Sequence, residues 1–137
     1  PDNRVVRATI GGEDGNIYCW HMGVSVGKVK VLFHPGESRG YFRAETTDEH
    51  DYIFRNEDLS FVPATGVMHE MIIRVVKTDA GAAFEVDMND GNGGPSYKKN
   101  FKVTQEQLGD YNRIGLERSG RTGGDAMFDS VSIRLGR

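Results

Sequence analysis

The sequence predicts an all-β fold, a sandwich or barrel of short strands within one domain spanning residues 1–137. Val and Ile together number 20, against 5 Leu and 7 Ala, and 18 of the 137 residues are Gly. Branched side chains suit half-buried pleated surfaces, and frequent Gly supplies tight turns between strands. Apolar and polar residues also alternate along much of the chain. Roughly nine or ten strands with turn residues between them fit a sandwich or barrel.

The individual elements follow from this alternation and from the turn residues that interrupt it. Strands are predicted at residues 6–10, 17–26, 29–33, 41–45, 52–55, 71–75, 82–88, 101–103, 114–116 and 131–135. Residues 77–81 form the turn of the clearest hairpin. A capping box from Thr104 to Gln107 predicts a single helical turn over 104–109. The predicted core consists of Val29, Val31, Phe33, Ile73, Val75, Phe84, Val86, Ile114, Leu116 and Ile133.

Composition excludes several classes of protein. The chain has 17 Lys and Arg against 20 Asp and Glu, a net charge of -3, which argues against a basic nucleic-acid-binding surface. Its apolar runs are too short for a membrane-spanning helix. The lone Cys19 excludes an internal disulfide. No basic and apolar leader stands at the first residues, so we expect a mature protein or an excised module.

The second half of the chain carries a recognisable pattern. The matching strings are residues 69–75, 82–87, 113–116 and 124–133, the last containing Phe128-Asp129-Ser130-Val131-Ser132-Ile133. Over residues 67–135 the chain resembles the concanavalin A-like jelly-roll superfamily, which implies two antiparallel sheets. Phe128 and Val131 cannot share a strand face at strict alternation, so we expect a bulge at Asp129-Ser130.

The resemblance implies glycan recognition, because the superfamily includes lectins and many carbohydrate-binding modules. We expect a secreted or extracellular, non-catalytic module that binds a polysaccharide, and that is monomeric and tethered to a catalytic domain. A first alternative is a small glycoside hydrolase or polysaccharide lyase. It would use Glu85 and Asp90, which lie in a near match to the glucanase motif Glu-x-Asp-x-x-Glu. A second alternative is a laminin-G-like domain that binds another protein.

The expected glycan site combines aromatic rings with Arg. Eleven of the 17 cationic residues are Arg, whose planar fork suits carboxylate or sulfate groups. Tyr41 and Arg43 share a strand face, and Tyr52 and Arg55 lie on the next strand in sequence, which is commonly its neighbour in the sheet. Aromatic or cationic residues elsewhere in the chain extend the candidate set: Trp20, Tyr97 and Arg118.

The histidines and carboxylates raise the question of a metal. The four His show no ligand spacing, and His69 is predicted to be a core residue at the end of its strand. Related jelly rolls often hold a structural calcium ion between the first loop and the last strand. By that resemblance the ligands would be Glu13, Asp14 and Asp129. A solvated acidic loop beside a hydrogen-bonded Asp is the alternative.

Overall fold

The structure, a computed structural model, describes residues 3–12, 21–34, 41–46, 51–58, 61, 63–91, 94, 96–118 and 126–136. Within them the chain forms ten strands and one short helix. In chain order these are β1 (Asn3–Gly12), β2 (Met22–Val26), β3 (Val29–His34), β4 (Tyr41–Thr46), β5 (Tyr52–Asp58), β6 (His69–Lys77), β7 (Gly81–Asn89), β8 (Ser96–Thr104), α1 (Gln105–Leu108), β9 (Ile114–Arg118) and β10 (Ala126–Gly136).

The strands form two five-stranded antiparallel sheets that pack face to face. The first sheet has the order β10-β1-β6-β7-β8, and the second has the order β5-β4-β3-β2-β9. Rings from opposite sheets meet between them, with Phe42 and Tyr97 4.8 Å apart and Phe54 and Phe101 5.3 Å apart between centroids. The predicted two-sheet sandwich is therefore confirmed, and its strand order is compatible with a jelly roll.

Buried and more exposed side chains alternate along β6 and β7, as the sequence predicts. The predicted core residues that are buried are Val29, Val31, Phe33, Ile73, Val75, Phe84 and Val86. Ile114 is half-buried and packs against this core. Leu116 and Ile133 are the exceptions, because their exposed fractions are 47% and 49%. Their assignment to the core was wrong.

The position of β9 and β10 explains this error. Phe54 of β5 contacts Phe101 of β8, so these two strands close one side of the sandwich. Strands β9 and β10 are the opposite ends of the two sheets and lie at its other side. Leu116 is opposite Val24, and Ile133 is opposite Val6, so both project toward the space between the sheets. An edge strand has a neighbour on one side only, and here the apolar side chains remain exposed to solvent.

The expected bulge in the last strand is confirmed. Ala8 is opposite Val131 and Ile10 is opposite Phe128, so Thr9 alone faces both Asp129 and Ser130. The extra residue returns Phe128 to the inner face, where it packs against the core. The hydroxyl oxygens of Thr9 and Ser130 lie 3.2 Å apart at the bulge.

His69 is buried at the start of β6, as predicted. Its side chain is 1% exposed, and its ring lies 5.6 Å from that of Phe33 and 5.8 Å from that of Phe61. Its Nδ1 lies 3.1 Å from the carbonyl oxygen of Asn89. Burial lowers the pKa of His69 below 6.5. This side chain packs as a neutral aromatic ring.

The helical turn after β8 begins with the predicted capping box. The hydroxyl of Thr104 accepts a hydrogen bond from the Gln107 backbone at 3.1 Å, and the Gln107 side chain accepts one from the Thr104 backbone at 2.9 Å.

Among the described residues, no helix has the length and apolar character that crossing a bilayer requires.

Thr104→Ala is expected to lower the free energy of unfolding by about 1 kcal/mol, because a backbone N–H loses its acceptor. Thr104→Ser should retain most of the stability, since its hydroxyl can make the same bond. Urea unfolding of the three proteins measures both differences. Equal midpoints for Thr104→Ala and the parent would show that the cap contributes nothing.

Candidate functional site

The outer face of the second sheet carries a set of mostly polar and charged side chains, here called the polar face. Along β3 and β4, the inward-facing residues are apolar apart from Thr46, and the residues between them point outward. The partner strands β2, β5 and β9 contribute to the same side. The members of the polar face are Ser25, Lys30, Leu32, His34, Arg43, Glu45, Tyr52, Arg55 and Glu117, with His21 just before β2.

Arg43 lies in the middle of this face and is held by its own strand. Its Nη2 is 3.0 Å from Oε1 of Glu45, two residues along β4, and the two side chains are 19% and 12% exposed. Arg43 stands opposite Leu32 of β3, which is buried although it faces outward. A salt bridge this enclosed is screened less by water than an exposed one. It fixes the guanidinium of Arg43 in one place.

Tyr52 brings the two predicted Arg side chains together. It stands opposite Glu45 across the β4–β5 pair. The Cζ atom of Arg55 lies 4.5 Å from the centre of the Tyr52 ring, and that of Arg43 lies 5.9 Å from it. Both distances are within the range of cation–π attraction. The expected pairing of the two strands is confirmed, and Arg43, Tyr52 and Arg55 form one cluster, here called the Arg–Tyr cluster.

Two histidines adjoin this cluster. The rings of His21 and His34 meet edge to face, with centroids 5.0 Å apart. Burial lowers the pKa of His21 to about 3, and the nearby charge of Arg43 and the His34 ring lower it in the same direction. The Nε2 atom of His21 is buried and has no hydrogen-bond partner among the described residues. His21 therefore stays neutral beside the guanidinium at physiological pH.

The other end of the polar face has a different character. Ser25 donates a hydrogen bond to Oε1 of Glu117 at 2.8 Å, and Nζ of Lys30 lies 4.0 Å from the other oxygen of that carboxylate. Gly115 lies between these groups, since a Cβ there would stand 2.6 Å from the Ser25 hydroxyl. A hollow of about 280 Å³ begins at this point, lined in part by Gly27 and Asp110. The polar face thus ends in this hollow at its β2–β9 side, away from the Arg–Tyr cluster on β4 and β5.

The remaining predicted binding residues lie elsewhere or outside the described residues. Tyr97 is 8% exposed and packs against Phe42 between the sheets, where a sugar cannot reach its ring. Arg118 is exposed at the end of β9. Trp20 lies outside the described residues, as does the side chain of Tyr41, whose backbone pairs with His34.

The proposed calcium ligands are not brought together within the described residues. Asp129 is exposed at the bulge of β10, whereas Glu13 and Asp14 lie outside the described residues. In the part of the chain that the structure describes, no three His, Cys, Asp or Glu side chains are grouped so that they could hold a metal ion.

The carboxylates of the enzymatic alternative lie on the outer face of the first sheet. Glu85 is exposed and is 3.8 Å from Arg74, and Asp87 is 3.6 Å from Lys98. Asp90 follows the end of β7, and its carboxylate accepts a hydrogen bond from the Gly94 backbone at 2.9 Å. Five extended residues span roughly 16 Å, whereas a retaining glycosidase needs carboxyl groups about 5 to 5.5 Å apart. This geometry disfavours Glu85 and Asp90 as a catalytic pair.

Sequence reasoning missed His21, His34 and Glu45, which surround Arg43, and also Ser25 and Glu117 at the other end of the polar face. A sequence signal existed for the first three, since alternation from Val29 places His34 outward, alternation from Val24 places His21 outward, and Glu45 is two residues from Arg43. Alternation shows the face on which a residue lies and does not show which residues of that face form a site. Comparisons of the chain with protein-family models, curated proteins and solved structures find no match.

Proposed function

We propose that this protein is a non-catalytic carbohydrate-binding module of the concanavalin A-like jelly-roll type, which holds an acidic polysaccharide on the polar face. The observation that carries the proposal is the Arg–Tyr cluster, in which two guanidinium groups flank one phenol ring. An Arg fork pairs with carboxylate or sulfate in bidentate geometry. The Tyr52 ring lies under Arg55 and positions its fork on the outer face of the sheet by cation–π attraction.

The two Arg side chains take different parts in this proposal. Arg55 is exposed and projects over the ring, so it makes the direct contact with an anionic substituent. Arg43 is enclosed and fixed by Glu45, so it presents its charge without having to be ordered by the ligand. A group that is ordered before binding costs less conformational entropy on binding. The hollow at the other end of the polar face would take further sugar units of the same chain, because Lys28 and Arg113 line it beside Ser25.

Other parts of the proposal rest on the superfamily resemblance alone. They are the attachment to a larger secreted polysaccharide-active protein and a structural calcium ion near the first loop. A small hydrolase or lyase is the alternative. Incubating the protein with the same polysaccharides tests it, since an enzyme would release new chain ends and a binding module would not. If turnover appears, Glu85→Gln shows whether Glu85 carries it.

Arg55→Ala is expected to weaken binding to acidic polysaccharides by about 1.5 to 3 kcal/mol, or roughly ten- to hundredfold in dissociation constant. Arg55→Lys should recover only part of this affinity, because Lys keeps the charge and loses the planar fork. A glycan array identifies which polysaccharides bind. Titration calorimetry with a polyuronate, a sulfated polysaccharide and a neutral glucan then measures the change in dissociation constant. Binding to the neutral glucan should be far weaker.

The matched control is Arg74→Ala, an exposed Arg on the outer face of the other sheet that lies 3.8 Å from Glu85. It removes the same charge from the molecule and should leave glycan affinity unchanged. Circular dichroism checks that each variant is folded. If Arg55→Ala and Arg43→Ala both bind acidic polysaccharide as the parent does, the site is not the Arg–Tyr cluster. No glycan response together with capture of a protein ligand would instead favour the laminin-G-like alternative.

A further inference from the structure

Strand β10 leaves an apolar surface uncovered at one end of the first sheet. Its free edge has no neighbouring strand among the described residues, since β10 pairs with β1 alone. Three residues past the bulge are exposed despite facing inward, with exposed fractions of 43% for Val131, 49% for Ile133 and 69% for Leu135. Leu116 of β9 adds to the same opening at 47%. An unprotected edge strand with apolar side chains is a template for pairing with another strand.

The charged side chains of β10 indicate which kind of strand is complementary to its free edge. Asp129 and Arg134 are exposed, and neither has an ion-pair partner in the part of the chain that the structure describes. They lie on either side of Ser132, three residues before it and two residues after it. A two-fold axis through Ser132 would place Arg134 of each copy opposite Ser130 of the other, beside Asp129. The strand is therefore complementary in charge to an antiparallel copy of itself.

The apolar residues fit the same register. Side chains directly opposite each other in an antiparallel pair project to the same face of the sheet, whereas consecutive residues of one strand project to opposite faces. In a symmetric pair of β10 strands, one residue must therefore stand opposite its own copy, and the two-fold axis passes through that position. With the axis at Ser132, Val131 of each copy stands opposite Ile133 of the other, so the interface contains two such pairs. Cross-strand pairs of branched residues stabilise a sheet. We propose that two copies of this chain associate through antiparallel pairing of their β10 strands about Ser132, which joins their first sheets into one continuous sheet.

This inference replaces the expectation of a monomeric module. It does not depend on the proposed glycan site, because the polar face is on the other sheet and remains open in both copies. A dimer would carry two such faces, and linked sites bind a polymer more tightly than one site does. The interface itself is tested without any glycan.

The first test is the oligomeric state of the whole chain, measured by sedimentation from micromolar to near-millimolar protein. The parent is expected to be dimeric at the upper end, and Ile133→Lys is expected to be monomeric throughout. Arg134→Asp and Asp129→Arg should each weaken the dimer about tenfold, because two ion pairs are lost. The double variant Arg134→Asp/Asp129→Arg should restore the parent affinity. Lys102→Asp, on the opposite edge strand β8, is the charge-matched control and should change nothing.

The second test fixes the register. Residues directly opposite each other have Cα atoms about 4.5 to 5.5 Å apart, which is within the range a disulfide spans. In a Cys19→Ser background, Ser132→Cys should form a cross-linked dimer on oxidation, and Lys102→Cys should not. A parent that stays monomeric at near-millimolar concentration overturns the proposal, as does a dimer that Ile133→Lys leaves intact. A double variant no stronger than the single variants, or no Ser132→Cys cross-link, overturns the register.

Discussion

His21 is expected to titrate near pH 3, whereas an exposed histidine titrates near 6.5. Burial is the main cause, and the charge of Arg43 and the neighbouring His34 ring act in the same direction. Two-dimensional NMR of the ring resonances during a pH titration measures this midpoint directly. A midpoint near 6.5 would mean that the ring is solvated and that the polar face is more open here than the structure shows.

The same pKa shift makes the stability of the protein depend on pH. Below pH 6.5 the unfolded chain takes up a proton at His21, and the folded protein does not until about pH 3. The free energy of unfolding therefore falls as the pH is lowered through this range, by about 1.4 kcal/mol per pH unit for one such group. From pH 7 to pH 5 the loss at His21 is about 2 kcal/mol. The lowered pKa of His69 adds a loss of the same sign.

Two variants separate the causes of this shift. His21→Gln removes the titrating group and should flatten the dependence of stability on pH between 7 and 5 relative to the parent. Arg43→Met removes the charge, keeps much of the side-chain volume and should raise the pKa of His21 part of the way toward 6.5. An acidic glycan bound at the Arg–Tyr cluster should also raise the pKa of His21, because it offsets the charge of Arg43. The titration thus reports occupancy of the proposed site.

The fold and half of this site could be predicted from sequence for a local reason. Alternation along one strand shows which residues share a face, so Arg43 could be assigned next to Tyr41 without knowing any other strand. Because consecutive strands are commonly neighbours in a sheet, Tyr52 and Arg55 were expected beside Arg43. These are relations within a strand or between consecutive strands. The enclosure of Arg43 by Glu45 and the partial burial of His21 depend on packing among several strands, which no local pattern contains.

The error at Ile133 and Leu116 has the same origin. Alternation placed both side chains on the inner face correctly, since Ile133 stands opposite the buried Val6. It did not show that their strands form the open end of the sandwich, because strand order in the sheets is a property of the whole chain. Tyr97 was included among the candidate binding residues because Lys98 and Lys99 follow it, but its strand turns the ring toward the opposite sheet.

Ile73→Ala is accordingly expected to lower the free energy of unfolding by about 2 to 5 kcal/mol, whereas Ile133→Ala should lower it by less than about 1 kcal/mol. Both residues are Ile on inner faces of the same sheet, but their exposed fractions are 0% and 49%. Truncation at position 73 leaves a cavity between the sheets, and truncation at position 133 removes atoms that are already half in water.

Urea unfolding at low protein concentration measures the two losses without a contribution from self-association. Equal losses would mean that something covers β10 even at low concentration, and that the open end of the sandwich is not exposed in solution. A loss at Ile133→Ala that is small in dilute protein and grows with protein concentration would instead reflect the proposed pairing of β10 strands. In that case, the second copy dissociates on dilution, and Ile133 loses the stabilising contacts that it makes in the dimer.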